Sequence, residues 1–138
     1  MSTFGKSLRV RSPVGPVFRV DGAKVRKVDP DGIGGWHKAV YPKLVPGNEI
    51  WIEKLAGGAD EERKILAHEM IEIALMRTRG WTYQRAHDTA NRSERRLRNG
   101  DCPLKVFVAV LKRHFPRRYQ PYAVETAEGM YRAYKAYR

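Results

Sequence analysis

The sequence predicts an α+β fold, with a small N-terminal β-sheet followed by helices. Three observations support this. Apolar and basic residues alternate near the N-terminus, which is typical of strands with one buried face. Residues 60–98 instead have apolar residues at helical spacing, interrupted by one glycine turn. Further along, Pro103 and Pro121 each precede an apolar stretch and favour the start of a helix.

The chain has 138 residues, of which 42% are apolar, and this length suits one hydrophobic core. We therefore expect a single domain over residues 1–138, with strands and loops mainly in 1–55, a helix pair in 60–98 and C-terminal helices in 103–138. The sequence shows neither the apolar run of a signal peptide nor that of a membrane span, so we expect no membrane partner. The single cysteine, Cys102, excludes an internal disulfide framework and fits a reducing, cytoplasmic compartment.

The N-terminal strands are predicted from alternation and turn residues. Residues 8–11 alternate apolar with basic side chains, and residues 17–20 and 23–28 resume the pattern after turns rich in proline and glycine. Residues 29–35 are the clearest loop. Residues 49–53 then predict one more strand immediately before the helices.

The helix pair carries ionisable side chains on its apolar side. Asp60 is a plausible N-cap for the first helix, Gly80 ends that helix, and Thr82 is a plausible N-cap for the second. Advancing about 100° per residue places His68, Glu69 and Glu72 within the apolar arc of the first helix. On the second helix, an inward stripe at spacings of three and four contains Tyr83, His87, Ala90, Glu94 and Leu97.

These inward groups indicate a metal site. An unpaired buried carboxylate costs several kcal/mol, so these groups either pair with cationic side chains or hold a cation. A short glycine turn packs its two helices together, which brings His87 opposite His68 and Glu72. Two imidazoles and one carboxylate form a ligand set of catalytic zinc sites, so the sequence predicts Zn²⁺, or another divalent metal, at these three residues, with Glu69 left free.

More ordinary interpretations remain open at this point. An inward histidine is often a hydrogen-bonded core residue, although three inward groups on consecutive helices favour a metal. Glu94 could pair with Arg95 or Arg98, or accept a hydrogen bond from a ligand histidine. If Glu94 or Asp88 filled a fourth ligand position, the site would be structural rather than catalytic.

The motif His68-Glu69-x-x-Glu72 with a downstream His87 resembles the zincin metalloproteases, in which His-Glu-x-x-His supplies two ligands and a general base and a later helix adds a third ligand. The chain departs from that pattern because Glu72 stands where the second histidine is usual. Over residues 48–98 it also resembles small, mostly uncharacterised zincin-like proteins of phage and prophage type.

The resemblance implies a zinc-dependent metallohydrolase, most plausibly a peptidase, with Glu69 as the general base. It also implies that the strand at residues 49–53 forms the edge along which a peptide substrate lies, although a buried structural strand is an equally good interpretation of this segment. The candidates for stabilising the oxyanion are Tyr83, Tyr41, His37 and His114. For a phage-encoded protein, the expected location is the host cell cytoplasm or the virion.

Two other functions fit the same sequence. The first is a non-catalytic virion structural or assembly protein, stapled by its metal and bound to other phage structural proteins. The second is a nucleic-acid-binding protein, because the net charge of +12 attracts polyanions. Tyrosines interleaved with basic residues near the C-terminus could stack on single strands, although packing against protein is the simpler interpretation. The sequence contains no specific nucleic-acid recognition motif, so a basic solvated surface without specific readout is an alternative.

Overall fold

A computed structural model of the chain describes residues 3–138 and confirms the α+β fold class. A four-stranded sheet is followed by four long helices. In chain order the elements are β1 (Ser7–Ser12), β2 (Gly15–Val20), α1 (Gly22–Arg26), β3 (Gly35–His37), β4 (Ile50–Glu53), α2 (Ala59–Arg79), α3 (Tyr83–Arg98), α4 (Pro103–His114), a 3-10 turn (Arg117–Tyr119) and α5 (Gln120–Ala136).

The strands lie in the order β1-β2-β4-β3, so β4 is an interior strand. It pairs in parallel with β2 and antiparallel with β3, where Trp36 faces Trp51. The expectation that residues 49–53 form the edge for a peptide is therefore wrong, and the alternative of a buried structural strand is confirmed. Sequence alternation identified this strand but could not show that the three-residue β3 would cover its outer side.

The predicted strand at residues 23–28 is also wrong, because Gly22–Arg26 forms the short helix α1. Asp21 explains this difference, since its side chain accepts hydrogen bonds from the backbone N–H groups of Ala23 and Lys24 and so caps a helical turn. Val25, one of the apolar residues that suggested a strand, is buried on the inner side of this helix.

The two faces of the sheet have separate apolar clusters. On one face Ile50 and Ile52 pack with the α2 residues Leu66 and Ile73, in the same core as the C-terminal helices. The opposite face is covered by a smaller cluster of Val20, Val25, Trp36, Val45 and Trp51. Helix α2 thus lies between the sheet and the other long helices, which explains why most of its middle is buried. No helix within residues 3–138 is both long enough and apolar enough to cross a membrane.

The sequence predicted three caps for α2 and α3, and two of them are confirmed. Gly80 ends α2 in the left-handed conformation, with φ 63°, and the Thr82 hydroxyl accepts a hydrogen bond from the backbone N–H of Arg85 at 3.3 Å. Asp60 is not the N-cap of α2, because the helix already begins at Ala59. It lies in the first turn and pairs with Arg63 at 2.6 Å.

A buried carboxylate connects the start of α2 with the sheet and the C-terminal helix. Glu62 is fully buried and accepts two hydrogen bonds from the Arg19 guanidinium, each 2.9 Å long. It also accepts hydrogen bonds from the Tyr137 hydroxyl at 2.6 Å and from the backbone N–H of Leu55 at 3.2 Å. Burial would raise the pKa of Glu62, but these hydrogen bonds outweigh it and lower the pKa below its usual range.

Replacing Glu62 with glutamine should destabilise the protein by about 2–4 kcal/mol, because it leaves the partly buried Arg19 without its counter-charge. Chemical denaturation gives the free energy of unfolding. Glu61→Gln is the matched control, since Glu61 is the exposed neighbour in the same helical turn and its replacement should cost less than about 0.5 kcal/mol. Equal effects of the two variants would contradict a special role for Glu62.

The same carboxylate sets the direction of a pH effect. Because the pKa of Glu62 is lower in the folded than in the unfolded protein, its contribution to stability is complete above the unfolded pKa of about 4.3 and is lost as the pH falls toward the folded value. Glu62→Gln should therefore flatten the acid limb of the stability profile.

Candidate metal centre

The structure brings His68, Glu72 and His87 together where α2 packs against α3. His68 Nε2 lies 3.1 Å from Glu72 Oε2, His87 Nδ1 lies 2.9 Å from the same oxygen, and the two nitrogens are 3.2 Å apart. His68 and Glu72 are buried, whereas the His87 side chain is about one-third exposed. The three potential ligand atoms therefore form a compact triangle that faces solvent at one corner.

This triangle fits the requirements of a small divalent ion. Ligands bound tetrahedrally at about 2.0–2.1 Å are separated from one another by about 3.3–3.4 Å, close to the three distances here. The donor set is two imidazoles and one carboxylate, which suits zinc. These buried His and Glu side chains could hold a metal ion.

His37 completes the environment of Glu72 from the sheet. It is buried at the end of β3, and its Nε2 lies 2.6 Å from Glu72 Oε1, the oxygen that faces away from the triangle. This distance is that of a charge-assisted hydrogen bond, with Nε2–H as the donor. His37 thus orients the carboxylate so that Oε2 is presented to His68 and His87.

Glu69 lies beside the triangle but is not part of it. Its Oε2 is 3.5 Å from His37 Nε2, and together with Glu72 the two residues form a second group of potential ligands. Gly35 on β3 makes room for this side chain, because a Cβ at that position would lie 2.6 Å from Glu69 Oε1. A larger residue at position 35 would therefore require the Glu69 side chain to move.

The pKa values of Glu69 and Glu72, the two α2 carboxylates at this site, are shifted in opposite directions. Burial, followed by the charge of Glu72, raises the pKa of Glu69 to about 7. Burial acts on Glu72 as well, but hydrogen bonds with His37, His68 and His87 outweigh it and lower the pKa of Glu72 to about 2. Two groups one helical turn apart thus differ in the proton they carry near neutral pH, with Glu72 ionised and Glu69 able to exchange a proton.

The residues considered for a fourth ligand lie elsewhere. Glu94 Oε2 is 3.8 Å from His68 Nδ1, the nitrogen that points away from the triangle, while its Oε1 accepts a hydrogen bond from Arg98 at 3.0 Å. The interpretation of Glu94 as an arginine partner is therefore confirmed, whereas 3.8 Å is too long for a hydrogen bond from His68. Asp88 is exposed and accepts a hydrogen bond from Gln84. Neither Glu94 nor Asp88 occupies the fourth position.

A cavity of about 360 Å³ leads from the triangle to the surface. Tyr41 and Tyr83 line it, and the Tyr83 ring stacks on His87 with centroids 4.9 Å apart. Burial, followed by the charge of Glu72, raises the pKa of Tyr83 to about 12, so its hydroxyl remains a donor. His114 packs against Trp81 in a separate groove, which removes it from the oxyanion candidates.

Nothing in the sequence indicated that His37 is a partner of Glu72, and His37 was expected only as an oxyanion candidate. The two residues are 35 positions apart, and β3 is too short to show a pattern. No family model, curated protein or solved structure matches this chain.

Proposed function

We propose that this protein is a zinc-dependent metallohydrolase of zincin-like type, acting on peptide bonds. The observation that supports this most strongly is the convergence of His68 Nε2, Glu72 Oε2 and His87 Nδ1 at the base of an open cavity. The free carboxylate of Glu69 lies beside them on the same helix. Catalytic zinc sites combine three protein ligands with one open position in this way.

In this proposal His68, Glu72 and His87 hold the ion. When bound, Zn²⁺ would lower the pKa of a water molecule toward about 7 and polarise a carbonyl group. Glu69 accepts the proton of the attacking water and delivers it to the departing amine. His37 keeps Glu72 in its ligand orientation, and Tyr83 or Tyr41 donates a hydrogen bond to the carbonyl oxygen of the substrate.

The edge strand β3 supports a peptide as the substrate. The backbone N–H of Glu53 donates to the carbonyl of Gly34 at 2.7 Å, so Gly34 and Trp36 direct their backbone groups toward β4. At the free edge, the Gly35 N–H already donates to the Ile33 carbonyl at 3.0 Å, and the His37 carbonyl accepts from the Tyr41 N–H at 2.9 Å. The Gly35 carbonyl and the His37 N–H therefore remain to pair with a peptide beside the cavity. An extended peptide pairing with this edge would pass over Glu69 and the triangle.

The alternative of a non-catalytic metal staple in a virion protein receives less support. A staple usually has four protein ligands, whereas Glu94 and Asp88 leave the fourth position to solvent. The proposed phage or prophage setting, with its host-cytoplasm or virion location, is supported by the sequence resemblance alone.

The proposal is tested by metal content and hydrolysis together. Purified protein should carry about one zinc ion per chain and cleave a mixture of fluorogenic peptides. A chelator should abolish cleavage, and added Zn²⁺ should restore it. Stoichiometric metal without any metal-dependent cleavage would favour the staple, and protein without affinity for a divalent metal would refute both.

A further inference from the structure

A second concave surface lies on the side of α3 away from the metal centre. Helices α3 and α4 form a groove of about 410 Å³ between them. We call it the arginine groove and define it by Thr89, Arg92, Ser93, Arg96, Arg113 and His114. The α3 members recur at spacings of three and four, which places them on one helical face.

Ala109 and Val110 also line the arginine groove, and within residues 3–138 no carboxylate lines it. The Arg92 guanidinium donates a hydrogen bond to the Thr89 hydroxyl at 3.1 Å, so it is held at the wall of the groove. Arg96 Nε pairs with Asp101 at 3.0 Å, which leaves the other guanidinium nitrogens of Arg96 available. Within residues 3–138, neither Arg92 nor Arg113 forms an ion pair with a carboxylate.

The lowered pKa of His114 reflects the positive charge of this region. Burial lowers its pKa first, and the charges of Arg113, Arg85, Arg92 and Arg79 lower it further. Four arginines from three helices therefore act on one imidazole. Arg85 extends the cationic surface beyond the groove, since its guanidinium lies 3.8 Å above the Trp81 ring.

We propose that the arginine groove binds the phosphate backbone of nucleic acid. Arginine presents planar pairs of N–H donors that match phosphate oxygens. Thr89 and Ser93 are buried, and they support the wall of the groove through hydrogen bonds to Arg92 and to the Thr89 carbonyl. Two of the three arginines in this concave surface, Arg92 and Arg113, form no ion pair within residues 3–138, so the groove is complementary to a polyanion. The net charge of +12 strengthens the attraction at long range.

The recognition is independent of base sequence, because arginine contacts with phosphate oxygens do not distinguish the bases. Trp81, whose ring contacts His114, is 8% exposed and covered by Arg85, so it offers no face on which a base could stack. The binding surface and the metal centre occupy opposite faces of α3, because His87 and Asn91 line the metal cavity whereas Thr89 and Ser93 line the groove. Binding of nucleic acid should therefore persist without metal.

The experiment measures the affinity for a fluorescein-labelled 20-base-pair DNA duplex by anisotropy, between 50 and 200 mM salt and with EDTA present. The groove variant carries Arg92→Gln, Arg96→Gln and Arg113→Gln. The matched control carries Arg9→Gln, Arg11→Gln and Lys24→Gln, which removes the same charge from exposed positions on β1 and α1. A double variant with Arg92→Gln and Arg113→Gln leaves the Arg96–Asp101 pair intact, in case the triple variant fails to fold.

We expect the groove variant to bind about tenfold or more weakly and to reduce the slope of log K against log salt by about 3, one unit for each phosphate that is no longer neutralised. The double variant should reduce the slope by about 2. The control should retain most of the slope. Equal losses of affinity in the groove variant and the control would overturn the proposal in favour of diffuse attraction, as would stronger binding to anionic lipid vesicles than to DNA.

Discussion

Replacing Glu72 with glutamine should reduce the affinity for Zn²⁺ by more than about a hundredfold. Loss of a residue that merely orients a ligand costs about 10–100-fold, and Glu72 is the single carboxylate of the triangle. A glutamine would present a neutral oxygen or an amide N–H₂ to His68 and His87, which lie 3.1 and 2.9 Å from the present oxygen. Competition with a chromogenic chelator measures the change.

Asp88→Asn is the matched control for this variant. Asp88 lies on α3 one residue from His87 but is exposed and bonded to Gln84, so its replacement should leave the affinity for zinc unchanged. Unaltered zinc affinity in Glu72→Gln would mean that the triangle is a hydrogen-bonded core cluster and not a metal site. Circular dichroism of both variants without metal separates loss of binding from loss of fold.

Replacing Glu69 with glutamine should lower the rate of peptide hydrolysis by about 10²–10⁴-fold, because it removes the proposed general base. The affinity for zinc should stay within a few-fold of that of the wild type, since Glu69 lies outside the triangle. The amide is nearly the same size as the carboxylate, so the space beside Gly35 remains filled. The measurement is initial cleavage rate at saturating zinc.

A second carboxylate near the site tests whether charge alone explains that result. Glu94 lines the same cavity but lies on the far side of His68 and pairs with Arg98. Glu94→Gln should therefore lower the rate much less than Glu69→Gln. A wild-type rate in Glu69→Gln, with zinc bound, would exclude Glu69 as the base.

The sequence predicted the helix-borne part of the site because that part is local. Helical periodicity placed His68, Glu69 and Glu72 on one face, and the caps at Gly80 and Thr82 defined a turn short enough to fold α3 back onto α2. The contact between His37 and Glu72 could not be predicted from the sequence, because it depends on strand pairing between distant segments. Short strands without alternation carry no local signal of their neighbours.

The order of the strands shows the same limit. The strand at residues 50–53 was recognisable from its apolar residues, but β2 and β3 pair on either side of it through contacts that no local pattern encodes. Residues 23–28 show a different limit. Their apolar alternation suggested a strand, but the side chain of Asp21 caps a helical turn at this position.

Gly35-Trp36-His37 has a consequence for recognising related chains. Gly35 leaves space for Glu69, the indole of Trp36 packs in the smaller apolar cluster, and His37 positions the Glu72 carboxylate. A search signature that joins Gly-x-His upstream to His-Glu-x-x-Glu and the later histidine would therefore be more discriminating than the helical motif by itself. Chains that keep the helical motif but have a larger residue at the glycine position would have to accommodate their acid differently, and they belong in a separate group.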